Sequence, residues 1–209
     1  MNKRQRNAVA LGLIISCITG CAAVGAASKV GQVAKSTLEA LGLKKPDAPE
    51  VPDAMKQPRK VLIKLHASKA LNMDSQQRPL ALVVRIYKLK QIVSFQQASY
   101  DAFLNPQREK EVLGADLLEV KEVTLVPGQR YEVDEKVSYE AGYIGLVALF
   151  INPDQQRWRA TFRADESEKN GITAGLQSCS VTVGAGAIAV DTLGKPLDRN
   201  LMLAPVECH

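Results

Sequence analysis

The chain has 209 residues, with 27 Lys and Arg against 22 Asp and Glu, a formal charge of +5. The basic residues are scattered among acidic ones with no run of five or six, which argues against a nucleic-acid face. The length suits one domain of about 150 residues plus a tether, and no apolar stretch is long enough to span a bilayer as a helix.

The first elements are targeting signals. Lys3, Arg4 and Arg6 form a positive n-region ahead of the short apolar run at 8–15, the pattern of a secretory signal peptide over residues 1–20. Ile18-Thr19-Gly20-Cys21 resembles the bacterial lipobox, in which the peptidase cuts before the cysteine and the cysteine thiol carries the lipid. Cleavage there removes three positive charges and leaves +2. Ala22 stands where an aspartate would signal inner-membrane retention, so the expectation is an outer-membrane anchor facing the periplasm. Several acyl chains give stable attachment where one does not.

Residues 21–58 read as a lipidated tether. Val30, Val33, Ala34, Thr37, Leu38 and Leu41 share one helical face, and Gly42 is a plausible stop. That helix either docks on a partner or on its own domain, or frays as a spacer. Pro46, Pro49, Pro52 and Pro58 then punctuate a charged stretch. In extended polyproline form it spans about 40 Å at about 3.1 Å per residue.

The domain is expected over 59–209. Val61, Ile63 and Leu65 alternate with Leu62, Lys64 and His66 as a strand, and Leu80–Leu89 reads as a second. Ser94 to Leu104 switches to helical period, with Ser94-x-x-Gln97 as a capping box. Asn105-Pro106 ends that helix and opens a short one that runs to Leu113 before Gly114. Strand signals return at Val120–Val126 and Gln129–Val137, with Pro127-Gly128 as the turn between them. Tyr143–Ile151 is apolar on both faces, as a strand buried on both sides should be. Arg157–Ala164 and Ser178–Val183 complete the set. Short strands joined by turns, with one helical insertion, indicate a mainly β, two-sheet sandwich.

Cysteines sort by position. Cys17 leaves with the signal and Cys21 takes lipid. Cys179 and Cys208 remain as an even pair in an oxidising compartment, for which a disulfide is the default and two separate thiols the alternative. No Cys-x-x-Cys or histidine cluster points to a metal. Enzyme chemistry is equally thin. His66 sits in a strand, His209 is the last residue, and no nucleophile motif accompanies either. Gly184-Ala-Gly186 lies too near the end for a dinucleotide unit and reads as a flexible loop. Asn72 and Asp74 lack calcium-loop spacing. Asp165, Glu166 and Glu168 read as a solvated loop. No cofactor is expected.

A longer pattern is more specific. Leu71-Asn72-Met73-Asp74, then Arg78-Pro79, then Val84-Arg85-Ile86-Tyr87-Lys88-Leu89 resemble the TssJ lipoprotein family of type VI secretion systems. The resemblance continues through Phe95, Ala102-Phe103-Leu104, Leu113–Leu118, Pro127-Gly128, Tyr143–Ala148 and Trp158-Arg159, in order, over about 60–183. It implies a transthyretin-like sandwich on the inner leaflet of the outer membrane. It also implies binding to the periplasmic carboxy-terminal region of TssM, which works with TssL. The family's contact loop joins the first two strands, here Ala67–Pro79, with Leu71, Asn72, Met73, Asp74, Arg78 and Pro79 as expected contacts. From the residues alone, the segment is a polar loop longer than a tight hairpin needs, and a plain surface loop would look the same. The other class of function open at this point is a periplasmic lipoprotein that binds a small molecule or peptidoglycan. It would call for aromatics near loop ends, yet aromatics are 5% of the chain.

Overall fold

A computed structural model describes residues 51–206 and 208. The signal, the lipobox with Cys21, and the tether helix lie outside the described residues. Two four-stranded sheets pack face to face. The first has strand order β4-β1-β7-β8 and the second β3-β2-β5-β6, with β1 Arg59–Ala67, β2 Leu82–Leu89, β3 Leu117–Leu125, β4 Arg130–Val137, β5 Tyr143–Ala148, β6 Arg159–Arg163, β7 Ile172–Leu176 and β8 Val181–Gly186.

Alternation sets the faces. Val61, Ile63 and Leu65 of β1 are fully buried, as are Leu82 and Val84 of β2, because side chains two residues apart share a face. The Pro127-Gly128 turn does not close a hairpin within one sheet. It carries the chain from β3 in the second sheet to β4 in the first. An ionic cluster centred on buried Lys88 and Glu135 also bridges the sheets. Lys88 of β2 pairs with Glu119 at 2.8 Å and with Glu135 of β4 at 3.5 Å.

The second sheet is covered on both sides, which explains the continuous apolar run in β5. Its outer face carries α1 Val93–Gln97, α2 Tyr100–Leu104 and α3 Pro106–Leu113. Phe95, Phe103, Tyr87 and Trp158 interlock there with ring centroids 5.3–5.7 Å apart, at tilted and edge-on angles that suit aromatic quadrupoles. Gly145 is part of this fit. A Cβ there would lie 2.6 Å from the Phe95 ring.

The single helix expected from Ser94 to Leu104 is two. Ala98 is extended, and Ser94 caps nothing. The break has a physical cause in Arg159. Its guanidinium donates to the carbonyls of Phe95 (2.9 Å), Ala98 (2.7 Å) and Gln96, and it stacks on Trp158 at 4.4 Å. A cation that takes the last carbonyls of a helix stabilises its end. Burial pulls Arg159 down to about 10, which leaves it charged at neutral pH. Arg85 plays a similar part, donating to the Phe103 carbonyl at 2.9 Å and pairing with Glu109 at 2.6 Å and Glu122 at 2.9 Å. The expected Asn105-Pro106 start is present. The Asn105 side chain accepts from the Gln107 and Arg108 amides, with Pro106 at the first helical position.

Three expectations after residue 163 need correction. Asp165, Glu166 and Glu168 lie in a helix, α4 Ala164–Asn170, which carries Asp165 and Glu166 in the first turn and Lys169 in the last, as the helix dipole favours. A strand at Ile172–Leu176 follows it and pairs parallel to β1. The strand expected at Ser178–Val183 starts at Val181, because Ser178 to Ser180 form the turn before it, and Gly184 to Gly186 continue the strand. Gly186 ends it at φ 93°, where a Cβ would lie 2.6 Å from the Gly171 carbonyl.

Candidate partner-binding end

The sandwich has two distinct ends. The chain enters β1 at Arg59, whose guanidinium holds the carbonyls of Ser138 (3.2 Å) and Ala141 (3.0 Å) and stacks on Tyr139. The helical insertion leaves from this end and returns to it, since Leu89 pairs with both Tyr143 and Leu117. The β1–β2 loop lies at the opposite end. There the segments after β3, β5 and β7 gather beside it.

That loop is anchored along its length. Ser68 N–H donates to Leu176 O and Leu80 N–H to Leu71 O, closing its base. Leu71 is fully buried in the core. Asn72 has the left-handed φ of 47° that asparagine tolerates. Its amide bridges two segments, donating to Ala81 O and accepting from Ile151 N–H, each at 2.8 Å. Leu71 and Asn72 are therefore supports, turned inward, and not the surface contacts expected of them.

The tip beyond them is a turn built around Asp74. Its carboxylate accepts from the amides of Gln76 and Arg78, both at 2.9 Å, and from Arg78 Nε at 2.8 Å. The Arg78 amide first, then its side chain, holds the Asp74 carboxyl below the usual carboxylate range. Donors that prefer the charged form have this effect. Met73 is half-buried, and Ser75 to Pro79 are exposed. Asp74 and Arg78 are thus brought together, but as a pair within the loop, with Arg78 the more exposed partner.

Sequence reasoning missed two neighbours. Ile151, 55% exposed, is fixed beside the loop by the Asn72 bond. The turn 177–180 accepts the Asn72 and Met73 amides on Gln177 O and Ser178 O. A disulfide joins Cys179 to Cys208 across 29 residues, with Cα atoms 5.8 Å apart. Neither neighbour carries a local motif, because both gather by topology.

A cleft of about 730 Å³ runs along β6 and the last residues of the chain, lined in part by Gln96, Arg157, Thr161 and Met202. Two of its polar side chains already hold the fold together. Gln96 donates to Thr161 Oγ and Val190 O, and Arg157 to the carbonyls of Leu201 and Ala204. Among the described residues no group of three or more His, Cys, Asp and Glu is placed to hold a metal ion. No described helix is long and apolar enough to cross a membrane.

Residues 59–179 match the family model described as type VI secretion lipoprotein, VasD, EvfM, TssJ. Solved structures agree. A chain of a "Type VI membrane complex" is 30% identical, with TM-score 0.56, over 61% of this chain and 99% of that one. A structure described as the T6SS protein TssM C-terminal domain from EAEC matches at 29% identity and TM-score 0.54, over 60% of this chain and 98% of that one. The T6SS lipoprotein TssJ1 from Pseudomonas aeruginosa matches at 26% identity and TM-score 0.56, over 61% and 96%. No curated protein matches the chain. A sandwich of two four-stranded sheets, a helix-covered second sheet and a family match across β1 to the 177–180 turn converge on one assignment. The chain belongs to the TssJ family of type VI secretion lipoproteins, membrane-complex components that are not enzymes.

Proposed function

We propose that this lipoprotein is anchored in the outer membrane through lipid on Cys21, faces the periplasm, and binds the periplasmic carboxy-terminal region of a TssM-like inner-membrane protein, and through it TssL. The contact surface is the tip of the β1–β2 loop, with Met73, Asp74, Arg78 and Pro79 as its centre. One observation carries this reading. The chain enters the domain at Arg59, and the loop lies at the far end of the nine-residue strand β1, about 30 Å away at about 3.3 Å per residue. The loop is thus at the end of the domain farthest from the point where the tether joins it, the end open to a partner rooted in the other membrane. The similarity to chains of a type VI membrane complex and of a TssM C-terminal domain structure supports the choice of partner.

The loop is also prepared for docking. Its backbone is pinned by the Asn72, Asp74 and 177–180 bonds, so little ordering entropy remains to be lost on binding. Arg78 presents a planar cation to a partner carboxylate. The test is titration of the mature chain against the periplasmic region of the TssM-like protein from the same cell. Arg78→Glu with Met73→Glu should abolish binding and leave the melting temperature nearly unchanged. Unchanged affinity in the folded variant would move the interface away from the loop. For the anchor, Cys21→Ala should leave a folded protein that no longer floats with outer-membrane vesicles, and continued flotation would remove Cys21 from that role.

A further inference from the structure

The family match ends at Cys179, yet the chain continues through β8 and an ordered tail. That tail crosses the edge of β6, where Ala189 bridges Phe162 and Val190 N–H donates to Thr161 O. It then forms α5 Arg199–Leu203, with Met202 buried. Arg157 holds it through the carbonyls of Leu201 and Ala204, and the disulfide to Cys179 fastens its end.

This path delivers the tail to the loop end. Ser178 links the two directly. Its carbonyl accepts the Met73 amide at 3.1 Å, and its hydroxyl lies 3.0 Å from Cys208 Sγ. Asp154 N–H donates to Cys179 O, so the segment carrying Ile151 joins the same cluster. Loop, turn and the disulfide end of the tail are thus joined through Ser178 and Cys179. The tail's contribution is apolar. Leu201 is 63% and Leu203 49% exposed, close in size to the exposure of Ile151. Both leucines belong to a short segment held by Arg157 and by the disulfide, so they are presented in fixed positions.

We infer that the disulfide-bonded tail is the second half of the partner surface, so that the TssM-like periplasmic domain rests on the loop tip at 73–79 and on Leu201 and Leu203 together. This rests on the proposed partner above and adds a footprint beyond the family-matched region. It also makes the interface depend on oxidation, because the tail is held at this end by Cys208.

The test uses the full mature chain in detergent, titrated with the periplasmic region of the TssM-like protein from the same cell. Two variants are compared with the unmodified chain, Leu201→Glu with Leu203→Glu, and Cys208→Ser. The first keeps the disulfide and alters exposed side chains only, so its melting temperature should hold. Each should weaken binding about tenfold or more, the effect of losing a central contact. Wild-type affinity in either folded variant overturns the tail's role and leaves the loop reading standing. Absence of binding by the unmodified chain overturns both.

Discussion

The helix-covered face of the second sheet and the loop end use the same residue types for opposite purposes. On the covered face, Arg85 and Arg159 spend their donors on carbonyls and carboxylates of their own chain, and the aromatic rings close over Gly145. At the loop end, Arg78 pairs within its own turn but stays open to water, and Ile151 and Leu201 are uncovered. A sequence pattern that runs through both regions does not distinguish residues that hold the fold from residues that meet a partner. Burial does. Charged groups inside must be paired, whereas exposed ones are free to be used elsewhere.

Substitutions should separate the two regions in order of effect. Arg159→Ala leaves three helix-end carbonyls without their donor, and the expected cost in chemical denaturation is about 3–5 kcal/mol. A small loss would mean that water replaces the guanidinium without penalty. Gly145→Ala pushes a methyl into the Phe95 ring and should cost about 2 kcal/mol, the usual size for overpacking. Near-UV circular dichroism should change with it, since four aromatic rings meet there.

Asn72→Ala sharpens the comparison because Asn72 is a support placed in the proposed binding region. It removes two hydrogen bonds and puts alanine at φ 47°, so about 2 kcal/mol of stability should be lost. Partner affinity should fall as well, since the loop is released from Ile151. Arg78→Ala should separate the two effects, with stability nearly unchanged and binding weakened.

The smallest expected effect is a local one on acidification. The folded Asp74 carboxyl lies below its ordinary value of 3.8. Its contribution to holding the turn is therefore complete above that value and disappears as pH falls through the lowered folded one. Protection of the Gln76 and Arg78 amides against hydrogen exchange, taken relative to the intrinsic rate at each pH, should fall only in that acidic window. Loss of protection already near pH 6 would contradict the role given to Asp74.

Alternation and turn chemistry made much of this legible in advance. The β1 and β2 faces, the doubly buried β5 and the Asn105-Pro106 helix start follow from local pattern. The break at Ala98 does not, because its cause is Arg159, 61 residues away and in another element. Strand β7 was hidden for a related reason. Ile172–Leu176 contains Ala174 and Gly175, poor strand formers alone, and is a strand only because β1 and β8 flank it. The acidic residues of α4 carry a readable signal, Asp165 and Glu166 ahead of Lys169 and Asn170-Gly171, that a solvated loop also permits. In the β1–β2 loop, the pattern did not show which residues turn inward and which lie at the surface. Leu71 and Asn72 share a motif with Asp74, yet they face inward because the core needs an apolar side chain and Ile151 a hydrogen-bond acceptor.

The central claim is that the loop end meets the partner while the helix-covered face does not. Site-specific photocrosslinking in cells tests it directly, with a photoreactive residue placed at Gln76 on the loop tip or at Arg108 on the exposed side of α3. The account predicts a crosslink from position 76 to the TssM-like protein and none from position 108. A crosslink from 108 with none from 76 would contradict it.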